Sequence, residues 1–176
     1  MSVPSGGAPF RARGFTLIEI LVVVVILAVL AATVTLAIAS AGGERQLELQ
    51  ANRLRELIVY ACERAELTGR SIGIAIDKEG YRFKRLDRDL WVTMRDGELR
   101  PRTWGEQTTP TLTRDGHRVE DDPKATDNKP ELICFDSGEL TPFRLDLAMP
   151  DLARRYRIDG APDGKVDVAA FDARAR

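Results

Sequence analysis

Residues 20–39 read ILVVVVILAVLAATVTLAIA, twenty positions without a charge. Thr33 and Thr35 are the polar side chains in the run, and a helix absorbs such hydroxyls by bonding them to its own carbonyls. At about 1.5 Å per residue, a helix of this length spans about 30 Å, the thickness of a bilayer's hydrocarbon core. Lipid leaves no backbone polar group satisfied from outside, so the run reads as helix despite its β-branched valines. Arg11 and Arg13 precede it, and no acid precedes them. That charge bias keeps the N-terminus in the cytoplasm and sends the chain after Ala39 across the membrane.

Several readings of the run compete. A plain single-span anchor is one, and a helix buried in a soluble core is another. A secretory signal peptide is a third, since Ala37-Ile38-Ala39 and Ala39-Ser40-Ala41 both fit the small-x-small cleavage rule. Glu19 separates them. A carboxylate at the start of an apolar span costs on the order of 2.5–3.5 kcal/mol unless it is paired or interfacial. No Lys or Arg lies between Arg13 and Arg45. A functional carboxylate here therefore needs a cation from a chain terminus or from another molecule.

The whole chain bounds the rest. Its 176 residues allow one domain and an appendage. With 26 basic and 27 acidic side chains the formal net charge is −1, which speaks against strong nonspecific attraction to nucleic acid. One histidine and two cysteines exclude a zinc ribbon or a histidine-rich metal site.

Gly14-Phe15-Thr16-Leu17-Ile18-Glu19, followed by the apolar run, resembles the class III signal of type IV pilins and type II secretion pseudopilins. The resemblance implies that a prepilin peptidase cuts after Gly14 and methylates the amine of Phe15. It also implies that Glu19 meets the N-terminal amine of a neighbouring subunit, the cation that the span itself lacks. The fourteen-residue leader is longer than many in the family, and Leu36 stands where many pilins carry a kinking proline.

Beyond the run, Gly42-Gly43 is a candidate soft point, since each glycine weakens a helix by about 1 kcal/mol. Helical spacing then resumes. Leu47, Ala51, Leu54, Ile58, Ala61 and Ala65 lie alternately four and three apart, one apolar stripe that ends before Gly69. After Gly69 the period drops to two. Ile72, Ile74 and Ile76 predict a strand with one buried face, and Tyr81 and Phe83 predict its returning partner. Leu90–Met94 and Glu98–Arg100 predict a second hairpin around Asp96-Gly97. Gly105–Pro130 reads as a long loop region with one short strand near Thr111–Thr113. Leu132–Phe135, Leu140–Leu147, Arg154–Ile158 and Lys165–Val168 predict four further strands, Pro142 marking an edge or a bulge.

Ile133-Cys134-Phe135-Asp136-Ser137-Gly138-Glu139-Leu140-Thr141-Pro142-Phe143 is similar to the H-type minor pseudopilins (GspH) and the related FimT-type minor pilins. That resemblance implies a pilin-like α+β fold: a long N-terminal helix, membrane-spanning in its first half, packed on antiparallel β-sheets. The expected division is a leader over 1–14, a transmembrane and fibre-core helix over 15–41, the periplasmic half of the helix over 42–69, and a β-rich domain over 70–176.

Other constellations carry less. His117 lies in a polar loop with no nucleophile beside it, and reads as solvent-exposed. Asp121-Asp122, Asp127-Asn128 and Asp159–Gly164 miss the spacing of a calcium loop. Cys62 and Cys134 enter an oxidising compartment on export and are candidates for a disulfide, with two buried thiols as the alternative.

The function expected from the resemblance is that of a minor pseudopilin at or near the tip of the periplasmic pseudopilus of a type II secretion system. It is not that of an enzyme, and no cofactor or metal is expected. The expected partners are prepilin peptidase, the major and other minor pseudopilins, the inner-membrane secretion platform and inner-membrane lipid, with no nucleic acid. The expected location is the bacterial inner membrane, single-pass, with the C-terminal domain periplasmic. The alternative is a FimT-like minor type IV pilin that serves pilus assembly or DNA uptake.

Overall fold

The computed structural model describes residues 17–119, 129–150 and 152–173, with side chains given for all of these except 32–41. The chain divides into two compact units, Met1–Ala39 and Ser40–Arg176. A single helix, α1, runs over Leu17–Thr68. The helix runs on through Gly42-Gly43, the candidate soft point, without a break. Packing supplies a reason. A Cβ at Gly43 would lie 3.2 Å from Leu152 Cδ1 and 3.7 Å from the Met149 sulfur, so the absent side chain admits these two neighbours. Such contact offsets the weak helix propensity of glycine.

The helix closes with two backbone bonds. Arg70 N–H donates to the Ala65 carbonyl at 3.2 Å, and Gly69 N–H to the Glu66 carbonyl at 3.3 Å, with Gly69 at φ +59°. This is the Schellman arrangement, and it turns the chain straight into the first strand.

Among the described residues ten strands follow: β1 Ile72–Ile76, β2 Gly80–Asp87, β3 Leu90–Thr93, β4 Arg102–Thr103, β5 Thr109–Arg114, β6 His117–Arg118, β7 Leu132–Cys134, β8 Phe143–Ala148, β9 Arg154–Gly160 and β10 Val166–Asp172. They make two antiparallel sheets, β3-β2-β1-β7 with β4 also on β2, and β10-β9-β8-β5-β6. The expected stripe on α1 is sealed: Leu47, Ala51, Leu54, Ile58, Ala61 and Ala65 are all fully buried. They join Ile74, Phe83, Leu132, Leu145, Leu147 and Ile158 in one hydrophobic core. Cys62, one helical turn past Ile58, is disulfide-bonded to Cys134 of β7 with a Cα–Cα distance of 4.9 Å.

The strands differ from expectation in four places. β1 is buried on both faces rather than one. A Cβ at Gly73 would sit 2.1 Å from the Pro130 ring and 2.9 Å from Trp91, so these two residues roof the side that alternation alone assigns to solvent. Asp96-Gly97 joins no hairpin. β3 pairs back onto β2 through a two-residue turn at Arg88-Asp89, both at positive φ, while Glu98–Arg100 forms no strand and Leu99 drops into the core. The region after Gly105 holds a six-residue strand, β5, hydrogen-bonded along its length to β8. Its hairpin to β6 turns at Asp115-Gly116, both at positive φ. Finally, β8 is an interior strand, with β9 on one side and β5 on the other. Pro142 precedes it and so removes no ladder bond.

Candidate functional site

Glu19 lies in the first turn of the described helix. Around it the surface is apolar without relief. Every residue from Leu17 to Ala31 is exposed, Leu17 at 85% and Leu27 at 59%. Glu19 is the one ionisable side chain of this segment. Gly14 and Phe15, the expected processing positions, lie outside the described residues. Among the described residues no helix is long and apolar enough to cross a membrane; the second half of the uncharged run falls where side chains are not described.

The globular unit presents a different surface. Several of its outer charges are tied in pairs. On the second sheet Arg157 forms two bonds to Asp146, at 2.7 and 3.0 Å, and its guanidinium lies 4.4 Å over the Phe171 ring. The bond to Asp146 holds the Arg157 pKa up. Arg144 reaches Asp159 at 2.8 Å, and Arg154 reaches Glu44 of α1 at 3.5 Å. Between strands β9 and β10, Lys165 meets Asp163 at 2.6 Å, which lowers the acid's pKa and raises the lysine's. The loose acidic pattern of Asp159–Gly164 thus spends its carboxylates on Arg144 and Lys165. Asp121-Asp122 and Asp127-Asn128 lie outside the described residues. His117 is exposed on β6. Among the described residues no group of three or more His, Cys, Asp and Glu side chains could hold a metal.

A site that sequence reasoning missed is a cavity of about 370 Å³ lined by Gln50, Arg53, Tyr81, Pro101, Arg102 and Thr103. Gln50 and Arg53 flank the apolar stripe at a spacing of three, which was a readable signal. The two-residue strand β4 that completes the cavity has no periodicity to read.

Comparison with known proteins places the two surfaces together in one family. Residues 9–35 match the prokaryotic N-terminal methylation motif. The chain is 35% identical to the type II secretion system protein H of Pseudomonas aeruginosa over 77% of its own length and 83% of the relative's. It is 31% identical to the protein of the same name from Aeromonas hydrophila, over 83% and 86%. Among solved structures it resembles the minor pseudopilin EpsH from the type 2 secretion system of Vibrio cholerae, with a TM-score of 0.60 and 20% identity over 70% of this chain and 94% of that one. The solution structure of Escherichia coli GspH aligns with a TM-score of 0.59 and 18% identity, over 76% and 94%. The last two establish a shared pilin-like fold. With the first two, the chain belongs to the type II secretion system protein H family.

Proposed function

We propose that this chain is a minor pseudopilin, a structural subunit at or near the tip of the periplasmic pseudopilus that supports export of folded proteins. The observation that carries the reading is the exposed apolar helix over Leu17–Ala31, attached to a unit whose own core is sealed. A surface of that kind needs lipid before assembly and other subunits' helices after it.

In this reading the chain is held in the inner membrane by residues 15–41, with the unit beyond Gly42 in the periplasm. Prepilin peptidase removes residues 1–14 after Gly14 and methylates Phe15. The freed amine of one subunit then meets Glu19 of the next, which sets the axial register between neighbours. A carboxylate and an ammonium that meet in low dielectric relieve a cost that either would carry alone. The major pseudopilin, other minor pseudopilins and the inner-membrane platform are the partners. Cys62 and Cys134 act as a staple that forms on export.

Mass spectrometry of the mature protein tests the reading. The expected N-terminus is methylated Phe15. A chain that starts at Ser40 or Gly42 would mean a secreted periplasmic protein and would end the pseudopilin reading.

A further inference from the structure

The cleft beside α1 is built by a close approach. A Cβ at Gly80 would lie 2.0 Å from the Arg102 carbonyl oxygen, so only glycine lets β4 dock there. The register Tyr81↔Arg102 then sets those two side by side. Gln50 and Arg53, three residues apart on α1, share the face opposite. Trp104 closes the corner: its indole N–H donates to the Asp77 carbonyl at 2.8 Å, and its ring lies 5.0 Å from that of Tyr81.

Charge in the cleft is unbalanced. Arg53 makes no hydrogen bond or ion pair with the described residues. Arg102 has a side chain only 11% exposed. Its Nη2 donates to the Glu98 carbonyl at 3.0 Å, while its buried Nε has no acceptor. The carboxylates nearby do not correct this. Glu98 forms a loose ion pair with Arg102 Nη2 at 3.6 Å, longer than a hydrogen bond and 70% exposed, so solvent screens it and Nε stays without an acceptor. Asp77 is engaged by Arg82 and by the N–H groups of Glu79 and Gly80. Gln50 is also committed, accepting from Gly105 N–H at 2.9 Å and donating to Thr108 at 3.2 Å. Burial pushes the Tyr81 hydroxyl pKa up, and Arg102 and then Arg53 pull against it, so both positive charges bear on that hydroxyl.

We propose that this cleft binds a carboxylate, gripped by the guanidinium of Arg102 and by Arg53, with the Tyr81 hydroxyl as a third donor. Arginine's planar fork matches a carboxylate in two parallel bonds, and about 370 Å³ falls within the range of small-ligand sites. Glu98 already brings a carboxylate toward Arg102 from solvent, at a distance that a better-placed acid would improve upon. The proposal does not rest on the secretion reading.

The test is a titration of the detergent-solubilised full-length chain, read by tryptophan fluorescence, in which Trp104 beside the cleft responds and Trp91 over Gly73 gives a constant background. One arm uses succinate, a second a short blocked peptide carrying Asp and Glu, and a third the uncharged succinamide. Saturable binding in at least one acidic arm and none with succinamide is expected. Arg53→Gln should weaken it at least tenfold at an unchanged melting temperature, since Arg53 is exposed. Arg102→Gln should weaken it further, and Arg100→Gln, on the same segment but outside the cleft, should leave it unchanged. Saturation by the peptide alone assigns the acid to a neighbouring protein chain, and saturation by succinate alone to a free acid. No saturation in either acidic arm overturns the proposal, as does equal affinity in wild type and Arg53→Gln.

Discussion

Residues 17–31 and 47–65 belong to one helix and both are rich in apolar side chains, yet they meet opposite fates. In the first, everything but Glu19 is apolar, so there is no stripe and no preferred face. All of it is exposed. In the second, apolar residues recur every three or four positions, and the stripe they form is fully buried against the two sheets. Amount of hydrophobicity does not distinguish the segments; its arrangement does. A stripe is matched to cover of fixed direction, which the same chain supplies. An apolar surface all round asks for cover on every side, which only lipid or several other helices provide.

Removing the acid from the unstriped segment should separate the two regions most sharply. Glu19→Ala is expected to abolish pseudopilus assembly and export while leaving membrane insertion and the melting of the globular unit unchanged. Export at the wild-type level by that variant would defeat the register idea. The next largest effect lies in the striped half. Replacing Cys62 and Cys134 by alanine frees a 72-residue loop in the unfolded chain, which should lower stability by about 4 kcal/mol in denaturant unfolding. A third pair contrasts the halves directly. Leu54→Ala should cost about 2–5 kcal/mol, as a fully buried leucine does. Val24→Ala should change the same denaturation midpoint by less than about 0.5 kcal/mol. Equal losses at the two positions would mean that the two segments do not differ in how they contribute to the fold.

The smallest effect is in pH. Two tyrosines of the globular unit carry it. Burial is the main cause that raises the Tyr81 and Tyr156 pKa values. The folded state therefore holds these protons when the unfolded chain has begun to lose them. That contribution is complete below the ordinary tyrosine pKa of about 10, and it is lost as pH rises through the raised folded values. Stability should fall above about pH 10, and Tyr81→Phe should reduce the fall.

The helix was legible because its signals are dense: an uncharged run, then a stripe in which all six residues are buried. The strands at 72–76, 132–134 and 154–160 were legible from alternation and from the turns that bound them. Two hairpins were not. The strongest turn signal in the region, Asp96-Gly97, joins nothing, because the long β2 offers one edge first to β4 and then to β3. The turn that does join β2 to β3 uses Arg88-Asp89, in which Asp89 is a residue type that tolerates positive φ but Arg88 is not. β5 hid in a stretch poor in apolar residues, because its pairing to β8 rests on backbone bonds and on Leu112 alone for full burial. Glu19 was singled out by its cost in an apolar setting. The arginine cleft was only half readable: Gln50 and Arg53 share a helix face, but it takes Gly80 and a two-residue strand to bring Tyr81 and Arg102 beside them.

The roof over Gly73 carries one more consequence. Pro130 is wedged above that glycine, where even a methyl group would meet its ring at 2.1 Å. A larger residue at that position would have to lift the lid of proline and tryptophan, so Gly73→Ala should let water onto a strand that is otherwise dry on both sides.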